Sequence, residues 1–185
     1  MMLLAALLQA AAPAAAPPAP VTPAPVEAAA PKLRPSDAAT AVDTFKLSCW
    51  AHFREPDDLR AAIPTLSLPL AEQPKARSGP TTVWRTDEAV LTYVAGDDLP
   101  AGVPSRQCTL RTKLAGAADQ LTLAARVAQA LSLAGGRTRT GRGAAQTIWD
   151  VRQPDGRTAR LIATTTNASG GQTDLRLQAL LLAQR

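Results

Sequence analysis

Two cysteines, one histidine and six aromatic residues (three Trp, two Phe, one Tyr) are all that this chain of 185 residues has of those types. Each scarcity closes a line of chemistry. A structural zinc site takes four ligands, commonly paired as C-x2-C or H-x3-H. Cys49, His52 and Cys108 make three soft ligands at best, so a carboxylate would have to complete the set. The acidic pairs Asp57-Asp58, Asp87-Glu88 and Asp97-Asp98 lack the D-x-D-x-D-G spacing of a calcium loop. So few aromatic side chains leave little on which bases could stack, and nucleic acid is not an expected partner. The longest apolar run falls well short of the ~20 residues that cross a bilayer as a helix. No segment recurs at a fixed period, which argues against a solenoid or a propeller. No metal and no cofactor is expected.

What is present begins with MMLLAALLQAAAPAAAPPAP. A short apolar run followed by Ala12-Pro13-Ala14 has the form of a secretory signal cut before Ala15, although no Lys or Arg precedes the run. Residues 1–14 are therefore expected to be a signal peptide. Residues 15–36 are mostly Ala, Pro and Val, a polyproline-biased, disordered lead. Residues 37–185 have the length of a single domain. No transmembrane helix is expected once the signal is removed, and the expected location is periplasmic or secreted. The formal net charge of +5 is unevenly placed. Residues 1–105 hold 8 Lys+Arg against 11 Asp+Glu, and residues 106–185 hold 12 against 4. That asymmetry permits an anionic partner without demanding one.

Within the domain, Ser36 or Asp37 can cap a helix running to about Arg54, with Val42, Phe45, Cys49 and Phe53 on its inner face. Pro56 ends it, and a short helical turn can follow, with Leu59, Ala62 and Ile63 inward. After a proline-rich loop the period changes to two. Residues 81–85 and 89–94 read as a hairpin, and residues 106–114 alternate with Cys108, Leu110, Thr112 and Leu114 on one side. A second helix is expected over 117–134, closed by Gly135-Gly136. Residues 146–152 and 157–166 make a hairpin across Pro154-Asp155-Gly156, and residues 173–183 form the last strand. The order α-β-β-β-α-β-β-β predicts an α+β fold, an antiparallel sheet of five to six strands with two main helices packed on one face.

Two cysteines in an exported domain pair most simply with each other, so Cys49 and Cys108 are expected to form a disulfide. Cys49 and His52 are three residues apart on a predicted helix, and a free thiol there would be a nucleophile beside a base. A small periplasmic enzyme using that thiol site is accordingly the alternative function. The stretch Gly135–Gly143, GGRTRTGRG, sets three arginines among glycines. It is neither a P-loop nor a dinucleotide fingerprint, since no G-K-[ST] follows and the stretch leaves a helix to enter a strand. Arg137, Arg139 and Arg142 are the expected anion contacts, through bidentate guanidinium pairing.

The combination of Phe45 and Cys49 on a helix, Trp84 on a strand, and Cys108 and Leu110 on a later strand resembles small uncharacterised exported proteins of high-GC Gram-negative bacteria. The resemblance covers about residues 40–135. It implies export and the Cys49–Cys108 bridge, and no activity. The function expected on all these grounds is that of an exported, non-enzymatic envelope protein with an anionic ligand or envelope component as partner. A binder of anionic polymer or lipid headgroups is a further alternative.

Overall fold

Polar–apolar alternation dominates the second half of the chain, and it builds one large sheet. The computed structural model describes residues 32–74, 80–96 and 104–182. The expected signal peptide, residues 15–31 of the expected lead, and Asp97-Asp98 lie outside the described residues. Nine strands are described: β1 (Pro35–Ser36), β2 (Ala71–Glu72), β3 (Thr81–Arg85), β4 (Ala89–Ala95), β5 (Pro104–Leu114), β6 (Arg137–Gly141), β7 (Ala144–Arg152), β8 (Thr158–Asn167) and β9 (Thr173–Leu182). Three α-helices accompany them: α1 (Ala38–Phe45), α2 (Pro56–Ala62) and α3 (Gln120–Leu131). The strands lie in the order β2-β3-β4-β5-β9-β8-β7-β6, antiparallel at every step. β1 runs parallel to β5 and occupies the edge of β5 that β4 leaves free.

This arrangement corrects the expected α+β fold of two main helices on a sheet of five to six strands. Among the described residues the sheet has nine strands, and the helices are short. Three strands gave no alternation to read. β1 and β2 are two residues long, and every residue of β6 is exposed. The long helix expected to reach Arg54 is interrupted after Phe45 and is helical only to His52. Residues Lys46–Trp50 form a π-helical turn, in which the Ala51 N–H bonds back to the Lys46 carbonyl. This wider turn lets Phe45, Cys49 and Phe53, spaced by four, all reach the core. α3 ends three residues earlier than expected. Ser132 takes the left-handed conformation (φ 54°, ψ 46°) and stops the helix ahead of the glycines. Gly136 then passes so close to Trp149 that a Cβ there would lie 2.8 Å from the indole Cε2, an overlap only glycine avoids.

One face of the sheet carries the core. α1 and the π turn pack on β5, and α3 packs on β7 and β8. Val42, Phe45 and Cys49 meet Leu91, Leu110, Leu161 and Leu177 there, all at most 1% exposed. Burying each of these leucines is worth about 2 kcal/mol of transfer free energy. α3 is also fastened by a buried polar network. The Gln120 side-chain amide donates to the Thr147 hydroxyl at 2.9 Å and to the Ala163 carbonyl at 3.3 Å, and the Thr165 hydroxyl donates to Gln120 Oε1 at 2.6 Å. With both amide hydrogens donated and Oε1 accepting, Gln120 is a structural residue.

The folded unit begins at Lys32, within the stretch expected as lead. The Arg34 N–H bonds to the Asp87 carbonyl at 2.6 Å. Ser36 is buried, its hydroxyl 2.9 Å from that of Thr112. Asp37 then caps α1, accepting from the Thr40 N–H at 2.9 Å.

Candidate anion-binding face

Cys49 and Cys108 are joined in a disulfide, with Cα atoms 5.2 Å apart and both residues fully buried. The bond ties the π turn to the centre of β5. It closes a loop across a sequence separation of 59, which the chain-entropy account values at about 4 kcal/mol. A sulfur already bonded to sulfur is no nucleophile, so the thiol chemistry drawn from Cys49 and His52 has no free thiol to run on. His52 is half-buried, at the end of the helical segment. Among the described residues no three His, Cys, Asp or Glu side chains are placed to share a metal ion.

Two of the three arginines of the glycine-flanked stretch lie on a strand and not in a loop. Arg137 and Arg139 lie on β6, the edge strand, and Arg142 is in the two-residue turn to β7. Arg137 is already engaged, its Nη2 donating to Asp150 Oδ2 at 2.9 Å. Arg160, on β8, donates to the same carboxylate through Nε at 2.7 Å and Nη2 at 3.2 Å. Asp150 is held below the ordinary carboxylate range, first by the hydrogen bond from Arg160 and then by the charges of Arg160 and Arg137, against the opposing effect of burial. Arg139 and Arg142 are exposed and have no acidic partner among the described residues. Arg139 opposes Gln146 across the ladder and so shares a face with Arg137.

That face is the second side of the sheet, on which no helix packs among the described residues. The registers place Arg85, Arg111 and Lys113 on it from β3 and β5. β6 and β7 add Arg137, Arg139 and Arg152, and β8 and β9 add Arg160 and Arg176. Two carboxylates, Asp150 and Asp174, stand on it among the described residues of these strands. The excess of cations is therefore concentrated on one surface.

The arrangement is tightest where β5 meets β9. Arg111 and Arg176 are direct cross-strand partners, and both are exposed. Like charges directly opposite each other destabilise a sheet, and neither arginine has a carboxylate partner among the described residues. A cleft of about 430 Å³ opens over them, lined also by Leu33, Thr164, Thr166 and Asp174. Asp174 faces Lys113 across the ladder. Sequence reasoning put Arg111 on the outward side of its strand but gave it no role. The alternation of Asp174, Arg176 and Gln178 with buried leucines carried the same signal in β9. That the two arginines meet was not legible, because cross-strand register is set by the assembled sheet.

Comparison with known proteins finds no counterpart. No protein-family model matches the chain, and neither a curated protein nor a solved structure matches it.

Proposed function

We propose that the protein is an exported, non-enzymatic envelope protein that holds an anionic partner against the helix-free face of its sheet. The observation that carries this reading is the imbalance of charge on that face, where the arginines of six strands are answered by Asp150 and Asp174. Guanidinium groups pair with carboxylate and phosphate in bidentate fashion, so such a surface favours anions over neutral partners. The buried disulfide fits an oxidising compartment, and the resemblance to small exported proteins points the same way. No helix among the described residues is long and apolar enough to cross a membrane.

The test compares two variants with equal loss of charge. Arg111, Arg139 and Arg176 are replaced by Gln in one, and Lys46, Arg54 and Arg126, which lie on the helical segments or at their ends, in the other. On a dextran sulfate matrix the first variant should elute at clearly lower salt than the second, with a shallower salt dependence. Equal elution of the two would mean that only net charge is being read, and the reading of the face would fall. Intact mass of protein recovered from the cell envelope, with and without alkylation, tests export. A shortened, unalkylated chain is the expected result.

A further inference from the structure

We propose that the cleft over Arg111 and Arg176 is a specific site for a phosphate monoester carried on a small hydroxylated molecule. The proposal deepens the reading of the sheet face as anion-binding and rests on it. Its first support is a contrast within the same sheet. Where Arg137 and Arg160 flank β7, the chain supplies Asp150 between them, and that one carboxylate pairs with both. Where Arg111 meets Arg176, neither is paired with a carboxylate among the described residues. Asp174 stands two residues along β9 and opposes Lys113. Arg111 and Arg176 sit on adjacent strands, with no strand between them to place a carboxylate as β7 places Asp150, so the charge balance of this pair is left open. An anion from solution would complete it, removing the repulsion of two opposed cations.

The charge and shape of that anion follow from the lining. Two guanidinium groups call for about two negative charges, and a phosphate monoester carries about −1.5 to −2 at neutral pH with three acceptor oxygens. A carboxylate or a phosphodiester, with a single charge, leaves one arginine uncompensated. The Thr164 and Thr166 hydroxyls in the lining can donate to the remaining phosphoryl oxygen. Asp174 shares the lining. As an acceptor with no donor it repels a bare phosphate and receives a hydrogen bond from a hydroxyl on the ligand. The cleft thus combines a cationic floor with an acidic end, which selects an ester bearing hydroxyl groups over inorganic phosphate. Its volume of about 430 Å³ suits such a small molecule, and Leu33 gives it an apolar wall.

The experiment is a nitrogen-15 NMR titration of the disulfide-bonded full chain with glycerol 3-phosphate, inorganic phosphate and glycerol. Glycerol 3-phosphate should give saturable shifts confined to Leu33 and its neighbours, β5, β8 and β9, and inorganic phosphate weaker ones. R111Q and R176Q should each weaken binding at least about tenfold, the loss expected for a charge-assisted pair, while their spectra elsewhere show an intact fold. D174N should tighten inorganic phosphate and erase the preference for the ester. Shifts that do not saturate, or that survive R111Q and R176Q, overturn the site. Equal competition by phosphatidylglycerol vesicles overturns the monoester assignment, because that headgroup is a diester. If the titration fails while the matrix comparison above still separates the two triple variants, the site falls and the reading of the face stands. If both fail, both fall.

Discussion

At the scale of single residues, Asp150 is the most heavily used charge on the open face. It accepts from Arg137 and Arg160 together, and its carboxyl is held down chiefly by the Arg160 hydrogen bond. The sign of the pH effect follows. A carboxylate whose folded pKa is depressed contributes stability that is fully present above its unfolded value, near 3.9. That contribution is lost as pH falls through the lower, folded value. Asp37, Asp119 and Asp155 are lowered too, the first by hydrogen bonds from Thr40, the second from Thr122 and the third from Arg157. The acid limb of the whole protein therefore mixes several groups, and a difference isolates one. The gap in urea midpoint between the wild type and D150N should be constant from about pH 7 to pH 5 and close progressively below about pH 4. A gap that persisted unchanged in acid would show that Asp150 acts by shape and not by charge. None of this was legible in the sequence, where Asp150 is one acid in an alternating stretch. Its role depends on β6 and β8 lying on either side of β7. The same holds for Gly136, whose need to be glycine comes from Trp149 lying across it in the folded sheet.

Elements were legible in proportion to how unequal their two faces are. β4, β5, β8 and β9 bury one side against the helices and show it as alternation. β6 is exposed on both sides, so RTRTG reads as a loop. Its arginines have a plainer use at that position, because charged side chains on an edge strand discourage another chain from pairing there. The interruption of the first helix was hidden for a different reason. KLSCW contains no proline or glycine, and nothing local demands a π turn. The turn is tied from outside: Cys49 is held to β5 by the disulfide, and inside the turn the Ser48 hydroxyl bonds the Thr44 carbonyl. The element-scale prediction follows from that tie. Replacing Cys49 and Cys108 together by Ala should cost up to about 4 kcal/mol, read as a fall in the denaturant midpoint. Reductant should move the wild type to lower denaturant and leave the double variant where it is. Should the double variant prove as stable as the oxidised wild type, the bond would be a marker of compartment and not a support of the fold.

For the whole molecule, the two sides of the sheet divide the work. One side is covered by α1, the π turn and α3 and holds the folded unit together, and the other carries the arginines together with the buried Thr109, Gln178 and Leu180. The boundary of the unit bears on both. The chain enters along the edge of β5 before it reaches α1, so β1 and Leu33 come from the segment that composition alone assigns to the lead. Proline and alanine there masked two anchors that need partners far along the chain, the Arg34 N–H on the Asp87 carbonyl and the Ser36 hydroxyl beside Thr112. Thr112 in turn donates to the Glu88 carbonyl at 2.8 Å, so the entering strand, the β3–β4 turn and β5 form one connected corner. A chain starting at Asp37 gives up the β1 pairing, the buried hydroxyl contact and the Arg34–Asp87 ion pair. The ion pair is exposed and contributes under about 1 kcal/mol. The buried hydrogen bonds contribute about 1 kcal/mol each, so the loss should be about 2–3 kcal/mol relative to a chain starting at Lys32. Urea unfolding of the two chains measures it directly. Hydrogen exchange places it, since the faster exchange should centre on residues 86–89 and 112–115 and leave β7 and β8 unchanged. The two chains also differ in Leu33, the apolar wall of the cleft. Glycerol 3-phosphate should therefore bind the shorter chain more weakly, even in urea-free buffer where both are folded. Equal stability and equal binding would place the true start of the domain at Asp37 and make β1 an accessory strand.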